Sequence, residues 1–170
     1  REKVAEEVGL GAVKYFDLSH HPTTDIIFDW EKIFVLEGNS GPYLQYTVAR
    51  TNSVLAKFKR PIDNKQLTIN NLNSEELSLL RTLIHFPEVV EEAALSFSPN
   101  LVCNYLFGLS QKYNNFYNQH RILDYKSNYK SKRVEDQESV REFRVAITKA
   151  TGYVLRSGLS LLGIETPEKM

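Results

Sequence analysis

The feature that most constrains this chain is the recurrence of apolar residues at spacings of three and four. An amphipathic helix places such residues on one face and buries that face against neighbouring helices. A clear example, predicted as a helix over residues 99–119, carries Val102, Tyr105, Leu106, Leu109, Tyr113, Phe116 and Tyr117. With 170 residues, 42% of them hydrophobic, the chain can bury a single core. The sequence predicts one all-α domain, an antiparallel helix bundle of about five helices.

Residues with known capping behaviour mark several predicted helix ends. The stretch over residues 60–73, rich in Asn and Gln, predicts a loop. At its end Asn73, followed three residues later by Glu76, predicts a capping box. Pro87 interrupts the helix that starts there, and a shorter helix follows it. Gly163 predicts the end of a long amphipathic helix that begins at about residue 136. The residues expected on its inward face are Val140, Phe143, Ile147, Ala150, Val154, Gly158 and Leu161.

Glycine and proline interrupt the N-terminal part of the pattern. A short helix over the first residues is expected to end around Gly9 or Gly11. Asp29 predicts the N-cap of a second helix that ends at Gly38. The pattern resumes after Pro42, a residue that suits the first turn of a helix. The stretch Gly-Asn-Ser-Gly-Pro between these two helices therefore predicts a break in the chain.

Charge and cysteine content suggest a setting but no partner. Basic and acidic residues both number 21, so the net charge of zero gives no general affinity for nucleic acid. The single cysteine, Cys103, lies in an apolar helical pattern and is expected to be buried, which fits a reducing, cytoplasmic setting. No apolar run approaches the roughly 18 residues of a membrane span, so we expect no membrane partner. The acidic opening without an initiator methionine favours a piece of a longer protein.

The sequence indicates no independent active site. The four histidines lack the spacing of metal ligands, and phosphate-binding glycine loops are absent. No base lies near Cys103 in sequence, so a nucleophilic role is not indicated. We expect no metal and no cofactor here, and we look instead for a binding function.

A basic segment in the predicted loop 121–137 is one candidate for binding. It interleaves four cations with Tyr125 and Tyr129, a mixture that can hold phosphates and stack unpaired bases. A solvated loop has the same composition, and both interpretations remain open. The four cations are Lys126, Lys130, Lys132 and Arg133.

Three segments resemble the C-terminal, DALR-type anticodon-binding domain of the arginyl-tRNA synthetases, which are class I aminoacyl-tRNA synthetases. They are residues 8–19 (VGLGAVKYFDLS), 25–50 (DIIFDWEKIFVLEGNSGPYLQYTVAR) and 155–170 (LRSGLSLLGIETPEKM). Within the second segment, EGNSGPYLQY is close to a signature of this family. The resemblance spans nearly the whole chain and implies an all-helical domain that recognises the anticodon of an arginine-accepting tRNA.

The resemblance also implies roles for individual residues. The break at residues 38–42 would form a compact loop facing the anticodon arm, where glycines let the backbone approach closely. An aromatic side chain and a terminal methionine would contact anticodon bases, whereas Tyr46 is expected to pack in the core. The basic loop departs from the family and inherits no role. The implied tRNA-binding residues are Gly38, Asn39, Ser40, Gly41, Tyr43, Gln45, Arg50, Tyr117 and Met170.

The family's chemistry is expected to lie outside this chain. Its catalytic domain carries HIGH- and KMSKS-type signatures, absent here, and would bind ATP and Mg²⁺ to join arginine to tRNA. We expect the fragment alone to be inactive and monomeric. Residues 1–28 would form the junction with the catalytic domain, partly exposed here, and residues 29–170 the bundle.

Two alternatives are weighed against this interpretation. A helical protein-interaction module would explain the bundle and zero net charge, but not EGNSGPYLQY or the terminal PEKM. The equivalent domain of another class I synthetase, such as a cysteinyl or leucyl enzyme, would lack the glycine-proline loop.

Overall fold

The computed structural model describes residues 1–36, 38–60, 72–123 and 134–170. Within these ranges the chain forms seven helices and no strand. They are α1 (Glu2–Leu18), α2 (Trp30–Ile33), α3 (Gly41–Lys57), α4 (Ser74–Ile84), α5 (Phe86–Leu95), α6 (Asn100–Gln119) and α7 (Val134–Leu161). Helices α3 to α7 pack into a bundle, and α1 lies across α3. The predicted all-helical bundle is confirmed.

Helix α3 occupies a central place in this arrangement. It runs antiparallel to α1 and to α7, and it packs against both more extensively than against any other described helix. It runs parallel to α6. Tyr43 of α3 contacts Phe107 of α6, and seven residues further along α3, Arg50 contacts Tyr117, which also lies further along α6. The exposed side of α3 therefore lies beside the C-terminal half of α6.

The core follows the predicted apolar stripe of α6. Val102, Leu106, Leu109, Tyr113 and Phe116 are all buried, and each large apolar side chain removed from water contributes about 1.5–3 kcal/mol. They pack against buried residues of α3 and α7, among them Leu44, Val48, Val145, Leu155 and Leu159.

Cys103 is fully buried among the apolar residues of α6, as predicted. Burial raises the pKa of its thiol to about 12, because the thiolate would lose its hydration there. The side chain therefore behaves as a small core hydrophobe.

The capping residues act as predicted. The Asn73 side chain accepts a hydrogen bond from the Glu76 backbone N–H (2.8 Å), and the Glu76 carboxylate accepts one from the Asn73 N–H (3.1 Å). The other Glu76 oxygen accepts from the buried Arg144 Nε at 2.8 Å. Gly163 adopts φ +68° after α7, and Ile164 N–H donates to the Leu159 carbonyl, so the predicted helix end is confirmed.

The predicted end of the first helix at Gly9 or Gly11 is wrong, because α1 continues to Leu18. Gly11 lies inside the helix where α1 crosses α3. A Cβ at this position would lie 2.6 Å from Gln45 Nε2. The glycine therefore marks a close crossing of two helices and not the end of one.

The second predicted helix is much shorter than expected. Asp29 does cap it, accepting from the Glu31 N–H at 3.0 Å, but α2 comprises a single turn that ends at Ile33. Ile33 is buried, whereas Trp30 and Phe34 are exposed. Without an apolar face against the bundle, nothing stabilises further turns.

The inward face of α7 differs in part from the prediction. Ala150 and Leu161, expected to face inward, are exposed. The side of α7 that faces the core contains the buried polar residues Arg144, Thr148 and Thr151. Because these residues are polar, apolar periodicity does not indicate this side of the helix. The predicted loops over residues 60–73 and 121–137 lie largely outside the described residues, although residues 134–137 already belong to α7.

Candidate nucleic-acid interface

The start of α3 is fixed by packing against α1. Ser40 is the N-cap: its Oγ accepts a hydrogen bond from the Tyr43 N–H (3.3 Å) and donates to the Val35 carbonyl (2.5 Å). Gly41 meets the backbone of Gly11, and a Cβ on Gly41 would lie 2.6 Å from the Gly11 carbonyl oxygen. The absence of a side chain on Gly41 therefore permits the contact between α1 and α3.

Three residues expected to contact tRNA are buried in this packing, and their contacts with tRNA stay a prediction. Ser40 and Gly41 are buried, and Gln45 has 0% of its surface exposed. Gln45 Nε2 donates hydrogen bonds to the carbonyl oxygens of Glu7 (3.0 Å) and Glu165 (2.7 Å). In this arrangement all three residues hold protein segments together and expose little surface to solvent.

Gly38 and Asn39 are exposed just before the N-terminus of α3. Gly38 adopts φ +82°, a conformation that favours glycine, and no atom lies within 4 Å of a Cβ built there. The Asn39 side-chain oxygen accepts a hydrogen bond from the buried Tyr15 hydroxyl at 2.5 Å, and that hydroxyl lies 3.0 Å from the Cys103 carbonyl. The loop is thus anchored to the core from below while its outer surface stays open to solvent.

Helices α3 and α6 together present an aromatic and cationic strip, which we define as Tyr46 and Arg50 of α3 and Tyr117 of α6. The Arg50 guanidinium carbon lies 4.8 Å from the centre of the Tyr46 ring and 4.9 Å from the centre of the Tyr117 ring. The two rings are 41% and 38% exposed, respectively. Cation–π attraction therefore holds a positive charge between two rings that remain open to solvent.

Asn114 of α6 fixes the geometry of this strip. Its Oδ1 accepts from Arg50 NH1 at 2.5 Å, and its Nδ2 donates to the hydroxyls of Tyr43 (2.9 Å) and Thr47 (3.2 Å). The Tyr43 ring also packs edge-on against Phe107, so Tyr43 is half-buried and supports the strip from below.

Sequence reasoning missed two members of this arrangement. Tyr46 was expected in the core, but it is exposed because it points away from the apolar side of α3. Asn114 carries no sequence signal of its own, since a polar residue on an amphipathic helix usually faces solvent. Its role depends on α3 and α6 running parallel, with residues 43, 47 and 50 opposite residue 114.

A groove of about 570 Å³ continues the strip between the ends of α3 and α6. Lys57 adds a cation on its α3 side, and His120 lies at its α6 end with Nε2 3.4 Å from a Glu75 carboxylate oxygen. The groove is lined by Ser53, Val54, Lys57, Tyr117, Asn118, Gln119, His120, Arg121, Ile122 and Leu123.

The C-terminal segment lies on the other side of the same α3 surface. Asn52 Nδ2 donates to the Glu168 carbonyl at 3.3 Å, and Asn52 Oδ1 accepts from Arg156 at 2.7 Å. Asn52 is roughly 120° around the helix from Tyr46. Met170, two residues past Glu168, is 45% exposed. Tyr117 and the chain terminus thus flank the exposed side of α3.

The basic loop residues Lys126, Lys130, Lys132 and Arg133 lie outside the described residues, so their contribution stays a prediction. In the part of the chain that the structure describes, no three His, Cys, Asp or Glu side chains come together as a potential metal site. None of the described helices combines the length and apolar character needed to cross a membrane.

Comparison with known proteins identifies the family and the fold of this chain. A family described as "DALR anticodon binding domain" matches residues 44–170. The whole chain is 38% identical to a protein named arginine–tRNA ligase from Vibrio parahaemolyticus, and 41% identical, over 172 aligned residues, to one of the same name from Fusobacterium nucleatum. It spans 28% of the length of each.

A solved structure shows the same fold. The Thermus thermophilus arginyl-tRNA synthetase superposes with a TM-score of 0.83 and 28% sequence identity, covering 99% of this chain and 28% of that one. The shared segment is therefore one domain of a much longer enzyme. Since the family match covers most of the chain and the fold agrees throughout, this chain belongs to the DALR anticodon-binding domain family, in the form found in arginyl-tRNA synthetases.

Proposed function

We propose that this chain recognises the anticodon arm of an arginine-accepting tRNA as a domain of an arginine–tRNA ligase. The observation that carries the proposal is Arg50, held between the exposed rings of Tyr46 and Tyr117. Single-stranded RNA is recognised mainly through unpaired bases stacked on such rings and through phosphates held by cations. The strip offers both within one surface of α3 and α6.

Each side chain of the strip has a distinct role in this proposal. Bases turned out of the anticodon loop stack on Tyr46 and Tyr117, each stack contributing about 1–3 kcal/mol. Arg50 binds a neighbouring phosphate, and Asn114 holds its guanidinium in place, so little side-chain freedom is lost on binding. Met170 provides an apolar contact from the terminal segment.

Two further surfaces support the same tRNA. Gly38 and Asn39 are exposed just before α3, where the positive end of the helix dipole favours a phosphate. The cations of the basic loop, Lys126, Lys130, Lys132 and Arg133, would add electrostatic attraction that weakens with salt. Tyr43 supports the strip through Asn114, whereas the buried residues Ser40, Gly41 and Gln45 hold the α1–α3 packing and the C-terminal tail together.

The N-terminal segment carries an exposed aromatic ladder that fits the catalytic domain of the same ligase. Ring centres lie 6.0 Å apart for Phe16 and Phe28, 4.7 Å for Phe28 and Trp30, and 5.7 Å for Trp30 and Phe34. Phe28, Trp30 and Phe34 are exposed, and a contiguous apolar surface of this kind marks an interface. Residues 1–28, together with this ladder, would form the junction with the catalytic domain.

The ligase reaction itself would take place outside this chain. The catalytic domain of the parent enzyme would bind ATP and Mg²⁺, activate arginine and transfer it to the tRNA that this domain selects. The 170-residue chain alone would bind tRNA without charging it. We further propose that the enzyme is cytoplasmic and that this domain is monomeric.

The proposal is tested by measuring binding of the chain to an arginine-accepting tRNA transcript and to one with the middle anticodon base changed. We expect preference for the unaltered anticodon at low and at near-physiological salt. Tyr117→Ala should remove that preference, while Tyr153→Ala, which removes an exposed tyrosine of α7 outside the strip, should retain it. Equal binding of both transcripts by the unmodified chain, fading together with salt, would contradict anticodon recognition.

A further inference from the structure

The C-terminal tail, defined as residues 163–170, is tied to α1 and α3 along its length. Lys14 Nζ donates to the Gly163 carbonyl at 2.6 Å, where the tail leaves α7. Gln45 Nε2 donates to the Glu165 carbonyl, and Asn52 Nδ2 donates to the Glu168 carbonyl. The tail therefore connects the junction helix α1 to the surface beside the aromatic strip.

Gln45 is the one described side chain seen to bond both α1 and the tail. Its Nε2 carries two hydrogens, and these go to the Glu7 carbonyl of α1 and the Glu165 carbonyl of the tail. Gly11 leaves no spare room around this amide, since a Cβ there would lie 2.6 Å from Nε2 and 3.1 Å from Ile164 Cγ2. A displacement of either segment must therefore act on the same amide group.

This position is an unfavourable one for a glutamine that only fills space. Gln45 is fully buried, and its Oε1 has no hydrogen-bond partner among the described residues. A buried acceptor without a partner destabilises the fold, and an apolar side chain of similar size would avoid that cost. A glutamine at this position is explained by its two N–H donors, which connect α1 to the C-terminal tail.

The tail between its two anchors is short and stiff. Only Thr166 and Pro167 separate Glu165 from Glu168, Pro167 is buried, and its ring fixes the backbone φ. A shift of Glu168 and the terminus that follows it is therefore passed to the Glu165 carbonyl and not absorbed locally.

We propose that Gln45 is a positioning residue that couples the C-terminal tail to α1, so that tRNA bound beside the tail changes the stability of the junction helix. This inference rests on the proposed function, because it requires tRNA at the face formed by α3, α6 and the terminus. The coupling is reciprocal: a contact that orders α1 also favours tRNA binding at the tail.

Amide hydrogen exchange in α1 tests the coupling directly in the 170-residue chain. With saturating arginine-accepting tRNA, we expect α1 amides to exchange about threefold or more slowly than in the free chain. Gln45→Met keeps the side-chain volume but removes both donors, and it should at least halve this response while the chain still binds tRNA, because the Lys14 bond to the Gly163 carbonyl remains. Thr51→Val alters an equally buried residue of α3 whose hydroxyl bonds within its own helix, to the Val48 carbonyl, and it should retain the response.

The outcomes separate this inference from the proposed function. An unmodified chain that binds tRNA without any change in α1 exchange overturns the coupling and leaves tRNA binding intact. A chain that binds no tRNA overturns both. An undiminished α1 response in Gln45→Met also overturns the coupling. If that variant does not fold, Asn52→Ala, which frees the tail at Glu168 and spares Gln45, must at least halve the response, and an unchanged response overturns the inference.

Discussion

Two sides of α3 differ in their surroundings: one is buried against the rest of the molecule, and the other is exposed to solvent. Gln45 is fully buried between α1 and the C-terminal tail, whereas the next residue, Tyr46, is 41% exposed beside Arg50. Because a helix turns by about 100° per residue, adjacent side chains point in different directions. A single short motif therefore places a packing residue next to a residue that we propose to contact tRNA.

This difference shows why a family signature does not by itself define a binding surface. In the motif EGNSGPYLQY, Ser40, Gly41 and Gln45 hold α1, α3 and the tail together. The RNA-facing role proposed here passes to Tyr46 and to Arg50, which lies just outside the motif. Substitutions in the first group should change the stability of the fold, and substitutions in the second should change tRNA binding.

The largest expected contrast is between two residues of α3 that lie two positions apart. Leu44 is fully buried in the core, so Leu44→Ala should lower the free energy of unfolding by about 2–5 kcal/mol. Tyr46→Ala, at an exposed position, should lower it by less than about 1 kcal/mol. Urea denaturation of both variants measures the difference, and similar losses would contradict the division between the buried and exposed sides.

The close contact between α1 and α3 predicts a second effect on stability. Gly41→Ala places a Cβ against the Gly11 carbonyl and should destabilise the fold by about 1–3 kcal/mol. Gly108→Ala is the matched control: this glycine lies within α6 with no atom within 4 Å of a Cβ, so alanine should stabilise by up to about 1 kcal/mol. Thermal denaturation compares the two, and shifts of the same sign would argue against a close backbone contact.

Tyr46 provides the corresponding test on the exposed side. Tyr46→Ala should weaken binding of an arginine-accepting tRNA by about 1–3 kcal/mol, because it removes one stacking surface and one ring beside Arg50. Tyr46→Phe keeps the ring and should retain most of the affinity. Titration of a labelled tRNA gives both values. Affinity that is unchanged by Tyr46→Ala would place the RNA elsewhere.

The smallest effect concerns Cys103, a residue of α6 that is fully buried in the core. Because burial raises the pKa of its thiol to about 12, the folded chain keeps the thiol protonated at pH values where an unfolded chain, with a pKa of about 8.5, already ionises. Its contribution to stability is thus complete below about pH 8.5 and is lost as pH rises above that value.

A thiol reagent at pH 8 should therefore label Cys103 only as fast as the fold opens, and denaturant should accelerate labelling steeply. A Cys103→Ala variant should show less loss of stability between pH 8 and 10 than the unmodified chain. Rapid labelling without denaturant would contradict the burial of this residue.

The elements predicted correctly from sequence depend on neighbours along the chain. The capping box of Asn73 and Glu76 involves residues three apart, and the buried stripe of α6 follows from its own periodicity. Gly11 was misinterpreted as the end of a helix. A glycine is needed there because α3, which begins 30 residues later in the chain, packs closely against α1. Local patterns report local structure well and crossings between helices poorly.

The site was harder to predict than the fold for the same reason. Gln45 and Tyr46 have similar sequence surroundings, and their opposite exposure depends on partners that are distant in the chain. Gln45 bonds residues 38 and 120 positions away. Arg50 and Tyr117 were both selected as contacts, but their meeting across a parallel helix pair follows only from the packing of α3 against α6.

The most direct test compares anticodon discrimination in variants of two neighbouring residues, Gln45 and Tyr46. The measured quantity is the ratio of dissociation constants for two anticodon stem–loops that differ only in the middle anticodon base. We expect Gln45→Met to keep the ratio of the unmodified chain and Tyr46→Ala to bring it close to one. A ratio that falls in Gln45→Met and persists in Tyr46→Ala would contradict the claim that the strip of Tyr46, Arg50 and Tyr117 recognises the tRNA.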